Sequence, residues 1–220
     1  MDELSEQWRG VDEYFLEALI DEDAALQAAR QDCRAANLPE IEVAANQGAL
    51  LAMLARLSGA RRVLEIGTLG GYSTIWLARA VEQVMTLELQ PEYAKVARRN
   101  LDRAGVGERV EIMIGPAAES LAALIEGQVE PYDLVFIDAD KPNNPRYLEA
   151  SLRLVRPGSV IIVDNVVRGG AVVNAASTDD RVHGVRQLIE MVRADPRLEA
   201  TALQTVGSKG WDGFAMIRVR

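Results

Sequence analysis

Several residue types and patterns are scarce in this sequence, and each scarcity argues against a class of protein. One cysteine among 220 residues cannot form an internal disulfide, and one cysteine with one histidine makes a zinc site unfavourable. No apolar run is long enough to cross a bilayer, which favours a soluble protein. The acidic N-terminus, MDELSEQWRG, lacks a basic segment followed by an apolar one, so we predict no leader and a cytoplasmic protein.

The scarce residues are themselves weak candidates for chemistry. Cys33 lies in a helix-like stretch without a partner, and we expect an ordinary helix residue rather than a nucleophile. His183 lies in DDRVHGVRQL, again without a partner, and we expect an exposed helix residue. The net charge of -9 argues weakly against nucleic acid as a partner, because it does not exclude a local basic patch.

The arrangement of apolar residues predicts an α/β fold. Residues 1–60 are helical in pattern, and from Arg61 onward short apolar runs alternate with amphipathic stretches. The runs are RVLEIG, QVMTLEL, RVEIMIG, YDLVFIDA and GSVIIVDN. Strands alternating with helices indicate a doubly wound, mostly parallel sheet. Two further strands joined by GSKG should be antiparallel, which gives seven strands in one domain over residues 1–220, with a helical extension (1–60) before the α/β core (61–220).

The glycine-rich turn after the first predicted strand, VLEIGTLGGYSTIWLARA, indicates a nucleotide-shaped ligand. It lacks the Gly-Lys-Ser/Thr ending of a triphosphate-binding loop. Its glycine spacing also differs from the dinucleotide pattern, because Leu69 stands where a second glycine is needed.

A ligand with an adenosine and a positive charge suits this turn better. Glu65 at the strand end offers a counter-charge, and helix-terminal N–H groups near Ser73 can receive a carboxylate. The next strand ends in Glu88, where an acidic side chain can bind both ribose hydroxyls. S-adenosylmethionine has all of these features.

A second group of polar residues follows the fourth and fifth predicted strands, in FIDADK and VDN. Carboxyl ends of neighbouring strands share one crevice, so Asp138, Asp164 and Asn165 should lie together. These hard oxygen donors suit Mg²⁺, or else Mn²⁺ or Ca²⁺. Asp140 should point away from Asp138 if the strand continues, and Lys141 is either a salt-bridge partner or a proton acceptor.

Together these motifs resemble the metal-dependent class I O-methyltransferases of the caffeoyl-CoA and catechol type. The resemblance rests on EIGTLGGYSTIWLA, LELQPEYAKVARRN, DLVFIDADK, RPGSVIIVDNVVRGG and DGFAMIRVR, and runs from about Ile41 to the C-terminus. It implies a Rossmann-like fold, S-adenosylmethionine and a divalent metal as cofactors, and a homodimer. The N-terminal helices would shape the acceptor pocket and the dimer.

The resemblance also assigns residues by position. It implies that Asp138, Asp164 and Asn165 bind the metal and that Lys141 is catalytic. The implied cofactor contacts, to which we add Gly71 and Tyr72 from the same turn, are Val43, Glu65, Gly67, Ser73, Glu88, Ala117 and Asp138. We expect Lys141 to take a proton from an acceptor hydroxyl before the oxygen attacks the sulfonium methyl group.

The acceptor is less constrained than the cofactor. A hydroxylated aromatic small molecule, catechol-like or polyphenolic, is the first reading, and a tRNA 5-hydroxyuridine is the alternative. A cofactor-binding protein without catalysis is disfavoured by the intact metal and lysine positions. Tyr147, Trp211 and the loop 166–180 are candidates to border the acceptor, whereas Trp76 should be a packing residue.

Overall fold

A seven-stranded sheet forms the centre of the molecule. The structure, a computed structural model, describes residues 3–220; Met1 and Asp2, which open the acidic N-terminal segment, lie outside that range. The strands are β1 Arg62–Ile66, β2 Gln83–Glu88, β3 Val110–Ile114, β4 Tyr132–Ile137, β5 Val155–Asp164, β6 Leu198–Gly207 and β7 Gly210–Val219. They lie across the sheet in the order β3-β2-β1-β4-β5-β7-β6.

The direction of the strands confirms the predicted fold class. Strands β1 to β5 pair in parallel, and β7 runs antiparallel to both of its neighbours, β5 and β6. The hairpin between β6 and β7 closes with Gly207 opposite Gly210, so the GSKG turn lies where the sequence placed it. The fold is therefore the doubly wound, mostly parallel sheet with a reversed last strand.

Eight α-helices surround this sheet in the described part of the chain. They are α1 Glu3–Leu19, α2 Ala24–Ala35, α3 Ala45–Leu57, α4 Tyr72–Ala78, α5 Pro91–Arg103, α6 Ala117–Glu126, α7 Asn144–Leu154 and α8 Asp180–Ala194. The first three precede β1 and form the predicted helical extension. None of the helices within residues 3–220 is both long and apolar enough to cross a bilayer.

Local sequence explains where several helices begin and end. The Asp23 side chain accepts from the N–H of Leu26 at 3.1 Å and caps α2. Pro91 opens α5, where its missing N–H leaves no helical hydrogen bond unmade. After α3, Gly59 takes a left-handed φ of 67°, which ends the helix.

The core consists of one apolar layer on each face of the sheet. Leu64 and Ile66 of β1 pack with residues of α6, α7 and α8. Val63, the alternate residue, packs on the other face with residues of α2 to α5. Helices thus cover both faces, and the carboxyl ends of β1 to β5 are left to form a crevice at one edge of the sheet.

Candidate active site

A cavity of about 820 Å³ lies at the carboxyl ends of the parallel strands. Its volume is in the range that small-molecule sites occupy. The predicted site residues that line it are Val43, Gly67, Tyr72, Ser73, Glu88, Ala117, Asp138, Lys141 and Asn165. Three predicted residues, Glu65, Gly71 and Asp164, are not in the lining. One cavity therefore joins the cofactor candidates to the candidates for metal binding and proton transfer.

The glycine-rich turn crosses directly over the end of β4. Gly67 has a φ of 106°, and a Cβ at this position would lie 2.2 Å from the carbonyl oxygen of Asp138. Asp138 in turn donates its N–H to the carbonyl of Ile66 at 2.9 Å. Both the backbone conformation and the close approach require glycine at position 67.

Buried contacts from two helices hold the other side of this turn. Asn100 of α5 donates from Nδ2 to the carbonyl of Gly70 at 2.9 Å. A Cβ on Gly70 would overlap Sγ of Cys33 in α2. Gly71 caps the start of α4 with a left-handed φ of 83° and packs against Ala97. Gly71 thus begins α4 and packs against α5, while its neighbour Tyr72 lines the cavity.

Glu65 lies beneath the turn, fully buried. Its carboxylate accepts hydrogen bonds from the hydroxyls of Ser73, Thr74 and Thr86. Burial raises the pKa of Glu65 to about 7, the three hydroxyls act in the opposite direction, and Asp138 adds to the rise. The carboxylate therefore fixes the start of α4 against the sheet; its role as a counter-charge for the cofactor stays a prediction.

Glu88 is held at the cavity by backbone donors. Its Oε2 accepts from the N–H of Leu69 at 2.8 Å, and its Oε1 accepts from the N–H of Gln90 at 2.9 Å. Leu69 itself has a left-handed φ of 51° within the turn. The carboxylate is thus fixed at the cavity wall, where the sequence predicts that it binds ribose hydroxyls.

The N-terminal extension contributes to the cavity wall. Val43, between α2 and α3, lines the cavity and is only 5% exposed. The Tyr72 hydroxyl donates to Glu22 at 2.7 Å and accepts from Arg30 at 3.0 Å. Burial, with the Glu22 hydrogen bond adding to it, raises the pKa of Tyr72, so Tyr72 serves as a neutral part of the wall.

The predicted metal ligands meet where β4 and β5 end. Asp138 and Asn165 line the cavity, and Asp164 lies behind them, 5% exposed. Burial raises the pKa of Asp164 to about 7, the nearby Asp138 raises it further, and Lys141 acts in the opposite direction. Within residues 3–220 no three His, Cys, Asp or Glu side chains are grouped to hold a metal, so a site here needs the Asn165 amide as its third ligand.

Lys141 lies in a short 3₁₀ turn, Lys141–Asn143, directly after β4. Its Nζ donates to Oδ1 of Asp138 at 2.8 Å, and the residue is 7% exposed. The structure thus shows the salt bridge, which was one of the two roles predicted for Lys141. The same contact places the amine at the cavity wall, beside the carboxylate.

The position of Asp140 differs from the one predicted from the sequence. The expectation that Asp140 points away from Asp138 was wrong, because residues two apart in a strand share a face and because β4 ends at Ile137 before either residue. It lies in the following loop, lines the cavity, and accepts hydrogen bonds from the Tyr147 hydroxyl and from Asn143. Because these donors occupy it, Asp140 orients Tyr147, which also lines the cavity as predicted.

His183 and Trp76, which we did not expect to take part, lie away from this chemistry, and only part of the expected acceptor border reaches the cavity. His183 is exposed and bonds the carbonyl of Ser177. Trp76 packs against Gly48 of α3, where a Cβ would lie 2.4 Å from the indole. Trp211 covers Gly170 and is not in the cavity lining. Of the loop 166–180, Arg168 is the residue that reaches the cavity.

Cys33 behaves as the sequence predicted. It is a buried helix residue of α2, 4% exposed. Burial, with Glu42 and Asp32 adding to it, raises the pKa of its thiol to about 11. A thiol in such surroundings is a packing group rather than a nucleophile.

Some residues that build the site were missed by sequence reasoning. Thr74 and Thr86 donate hydrogen bonds to Glu65. The sequence signal for Thr74 was the hydroxyl pair Ser73-Thr74 at the start of the helix after the glycine turn. Gln47 of α3 donates from Nε2 to Oδ2 of Asp164 at 2.8 Å. No local motif marks Gln47, because its partner is 117 residues away.

Comparison with known proteins identifies the family. The model of an O-methyltransferase family matches residues 17–218. The chain is 53% identical over 213 residues to a catechol O-methyltransferase of Mycobacterium tuberculosis, covering 96% of this chain and 95% of that protein. This chain belongs to the O-methyltransferase family.

Solved structures extend the comparison to the cofactor. An O-methyltransferase from Bacillus cereus in complex with S-adenosylhomocysteine is 51% identical, with a TM-score of 0.96 over 98% of this chain and 99% of that one. The O-methyltransferase TomG from Streptomyces achromogenes, in complex with S-adenosylmethionine, is 47% identical, with a TM-score of 0.95 over 100% and 99% of the two chains. The O-methyltransferase described here is an S-adenosylmethionine-dependent enzyme with the class I methyltransferase fold.

Proposed function

We propose that this O-methyltransferase depends on a divalent metal and methylates one hydroxyl of a catechol-like or polyphenolic small molecule. The observation that carries the proposal is that Asp138, Lys141 and Asn165 line the same cavity as Glu88 and Ala117. An acceptor hydroxyl held near Asp138 would thus share a cavity with a cofactor held near Glu88. The name of the Mycobacterium tuberculosis relative supports the acceptor class.

The donor set at the ends of β4 and β5 fits a hard divalent cation. It offers two carboxylates, Asp138 and Asp164, and the amide oxygen of Asn165, which makes no side-chain hydrogen bond to any residue within 3–220. Asp138 is close enough to raise the pKa of Asp164, after burial as the larger cause, and the Lys141 ammonium offsets only one of the two negative charges. A bound dication would polarise the acceptor hydroxyls as a Lewis acid.

The chain's own residues then handle the proton and the geometry. S-adenosylmethionine supplies an electrophilic methyl group. Asp138 holds the Lys141 amine at 2.8 Å at the cavity wall, where the amine would accept the proton of an acceptor hydroxyl once it has lost its own proton. Val43 and Tyr147, each at most 5% exposed, wall the cavity against water. Transfer then depends on holding oxygen and methyl in line, without a covalent enzyme intermediate.

The decisive test is release of S-adenosylhomocysteine from S-adenosylmethionine and a caffeic-type catechol, with Mg²⁺ and then with EDTA. We expect release only with the metal and its loss in Lys141→Met. Lys95→Met is the matched control, because Lys95 is an exposed residue of α5 that pairs with Glu92. Release in EDTA would contradict the metal dependence. Methylation of 5-hydroxyuridine RNA, with the catechol left unchanged, would contradict the acceptor class.

We also propose that the enzyme is a homodimer that uses α1. This helix leaves large apolar side chains exposed to solvent, which is typical of a surface that binds another protein. They are Leu4, Val11, Tyr14, Phe15 and Leu19, exposed by 45% or more. Sedimentation velocity should give a dimer for the wild type and a monomer for Tyr14→Ser with Leu19→Ser. A monomeric wild type would contradict the proposal.

A further inference from the structure

The N-terminal extension contributes a side chain to the carboxylate at the end of β5. Gln47, in the first turn of α3, donates from Nε2 to Oδ2 of Asp164 at 2.8 Å. The other oxygen, Oδ1, accepts the backbone N–H of Asn165 at 2.8 Å. Each oxygen has one donor, so the plane of the carboxylate is fixed while further lone pairs stay free for a ligand.

Gln47 is itself held in place by a chain of polar contacts. Asn46 accepts the backbone N–H of Gln47 at 2.9 Å and donates from Nδ2 to Oδ1 of Asp12 at 3.0 Å. Asp12 lies in α1, is 6% exposed, and accepts the N–H of Ser208 at 2.7 Å. These contacts connect α1, the β6–β7 turn and α3 to Asp164.

The chemistry of an amide suits this position. A lysine at position 47 would compete with a cation for Asp164, and a carboxylate would repel Asp164. A neutral donor fixes the carboxylate and leaves its charge available. Gln47 is not in the lining of the main cavity, so nothing in the geometry brings it to the cofactor or to the acceptor.

We propose that Gln47 is a positioning residue that orients Asp164 toward a divalent cation. The inference rests on the proposed metal dependence. Partners that hydrogen-bond to metal-ligating groups change metal affinity or activity by about 10–100-fold when they are removed. Gln47 is predicted to act in this way, from an element that precedes the whole α/β core.

The test measures binding of Mn²⁺ alone by electron paramagnetic resonance, without cofactor or acceptor. Gln47→Met keeps the length of the side chain and removes the donor. We expect its Kd for Mn²⁺ to rise at least about tenfold, with affinity for S-adenosylmethionine and the thermal midpoint close to wild type. Leu50→Met is the matched control: Leu50 lies one turn along α3 and lines the same second cavity of about 330 Å³ as Gln47, and the variant should bind Mn²⁺ as the wild type does because the Leu50 side chain gives Asp164 no hydrogen bond.

A second variant keeps the inference testable if Gln47→Met does not fold. Asn46→Ala keeps the Gln47 side chain but removes the acceptor of its backbone N–H and the link to Asp12. It should therefore weaken Mn²⁺ binding by a smaller factor. Wild-type Mn²⁺ affinity in both variants would overturn the role of Gln47 and leave the proposed function intact. A wild-type enzyme that does not bind Mn²⁺ would overturn the metal dependence and the inference together. Parallel losses of metal affinity, cofactor affinity and thermal midpoint would also overturn it, because they would show a merely structural role.

Discussion

Replacement of Glu65 by glutamine should remove a pH dependence of stability that the fold imposes on this carboxyl. The pKa of Glu65 is about 7 in the folded protein, against an ordinary value of 4.5. The folded state therefore holds the proton more tightly than the unfolded chain does. Below pH 4.5 this group stabilises the fold fully, and the contribution is lost as the pH rises toward about 7.

The size of the effect follows from the two pKa values. A change from 4.5 to about 7 corresponds to about 3 kcal/mol in the free energy of unfolding, since one pKa unit equals about 1.4 kcal/mol. The protein's pI of about 4.8 makes low pH unsuitable for the measurement because a protein near zero net charge precipitates easily. Between about pH 5.5 and 8, about 2 kcal/mol of the effect should remain visible.

The assay is urea denaturation of the wild type and Glu65→Gln across that range, without cofactor. The wild type should lose stability relative to the variant as the pH rises to about 7, and the difference should then be constant. Glu82→Gln is the control, because Arg61 lowers the pKa of Glu82 and its titration lies below the measured range. A wild-type advantage over Glu65→Gln that is constant or grows with pH would refute the account of Glu65.

Three further outcomes are expected. Gly67→Ala should destroy S-adenosylmethionine binding, measured by calorimetry, because its Cβ meets the Asp138 carbonyl; Gly105→Ala has the left-handed φ without a contact and should cost only about 1–2 kcal/mol of stability in urea. Asp164→Ala should abolish metal-dependent turnover in the S-adenosylhomocysteine assay while cofactor binding largely survives; equal loss of both would refute its assignment to the metal. Cys33 should resist iodoacetamide at pH 8 in the folded enzyme and react in urea, and rapid labelling of the native form by mass spectrometry would contradict its burial.

The sheet was predictable because its information is local. Runs such as VLEI and LVFI are short, apolar and flanked by helical stretches, and each became a buried parallel strand. The GSKG turn between two strands predicted the antiparallel hairpin for the same reason. Right-handed crossovers leave few arrangements for such an alternation, so local patterns were sufficient for the fold class, whereas the order of the strands across the sheet came from the structure.

Without the resemblance, the site was predictable mainly where its residues follow strands; Val43 and Ala117, which also line the cavity, were assigned by the resemblance alone. Glu88, Asp138 and Asn165 all come at the ends of strands, and the parallel sheet brings them to one edge. The surroundings of Glu65 could not be read in this way, because they depend on hydroxyls from both α4 and β2. Gln47 was beyond reach, since only the packing of α3 on the sheet brings it to Asp164.

The reversed strand β7 ties the end of β5 to residues much later in the chain. It enters the sheet between β5 and β6, pairs Phe214 with Asp164, and offers the carbonyl of Gly213 to the N–H of Val166 at 3.0 Å. Strands β1 to β4, by contrast, complete the pairings among themselves within residues 62–137. The pairings of β1 to β4 therefore do not need β7. The edge of β5 that carries Asp164 does need it, because that edge is covered by a strand much later in the chain.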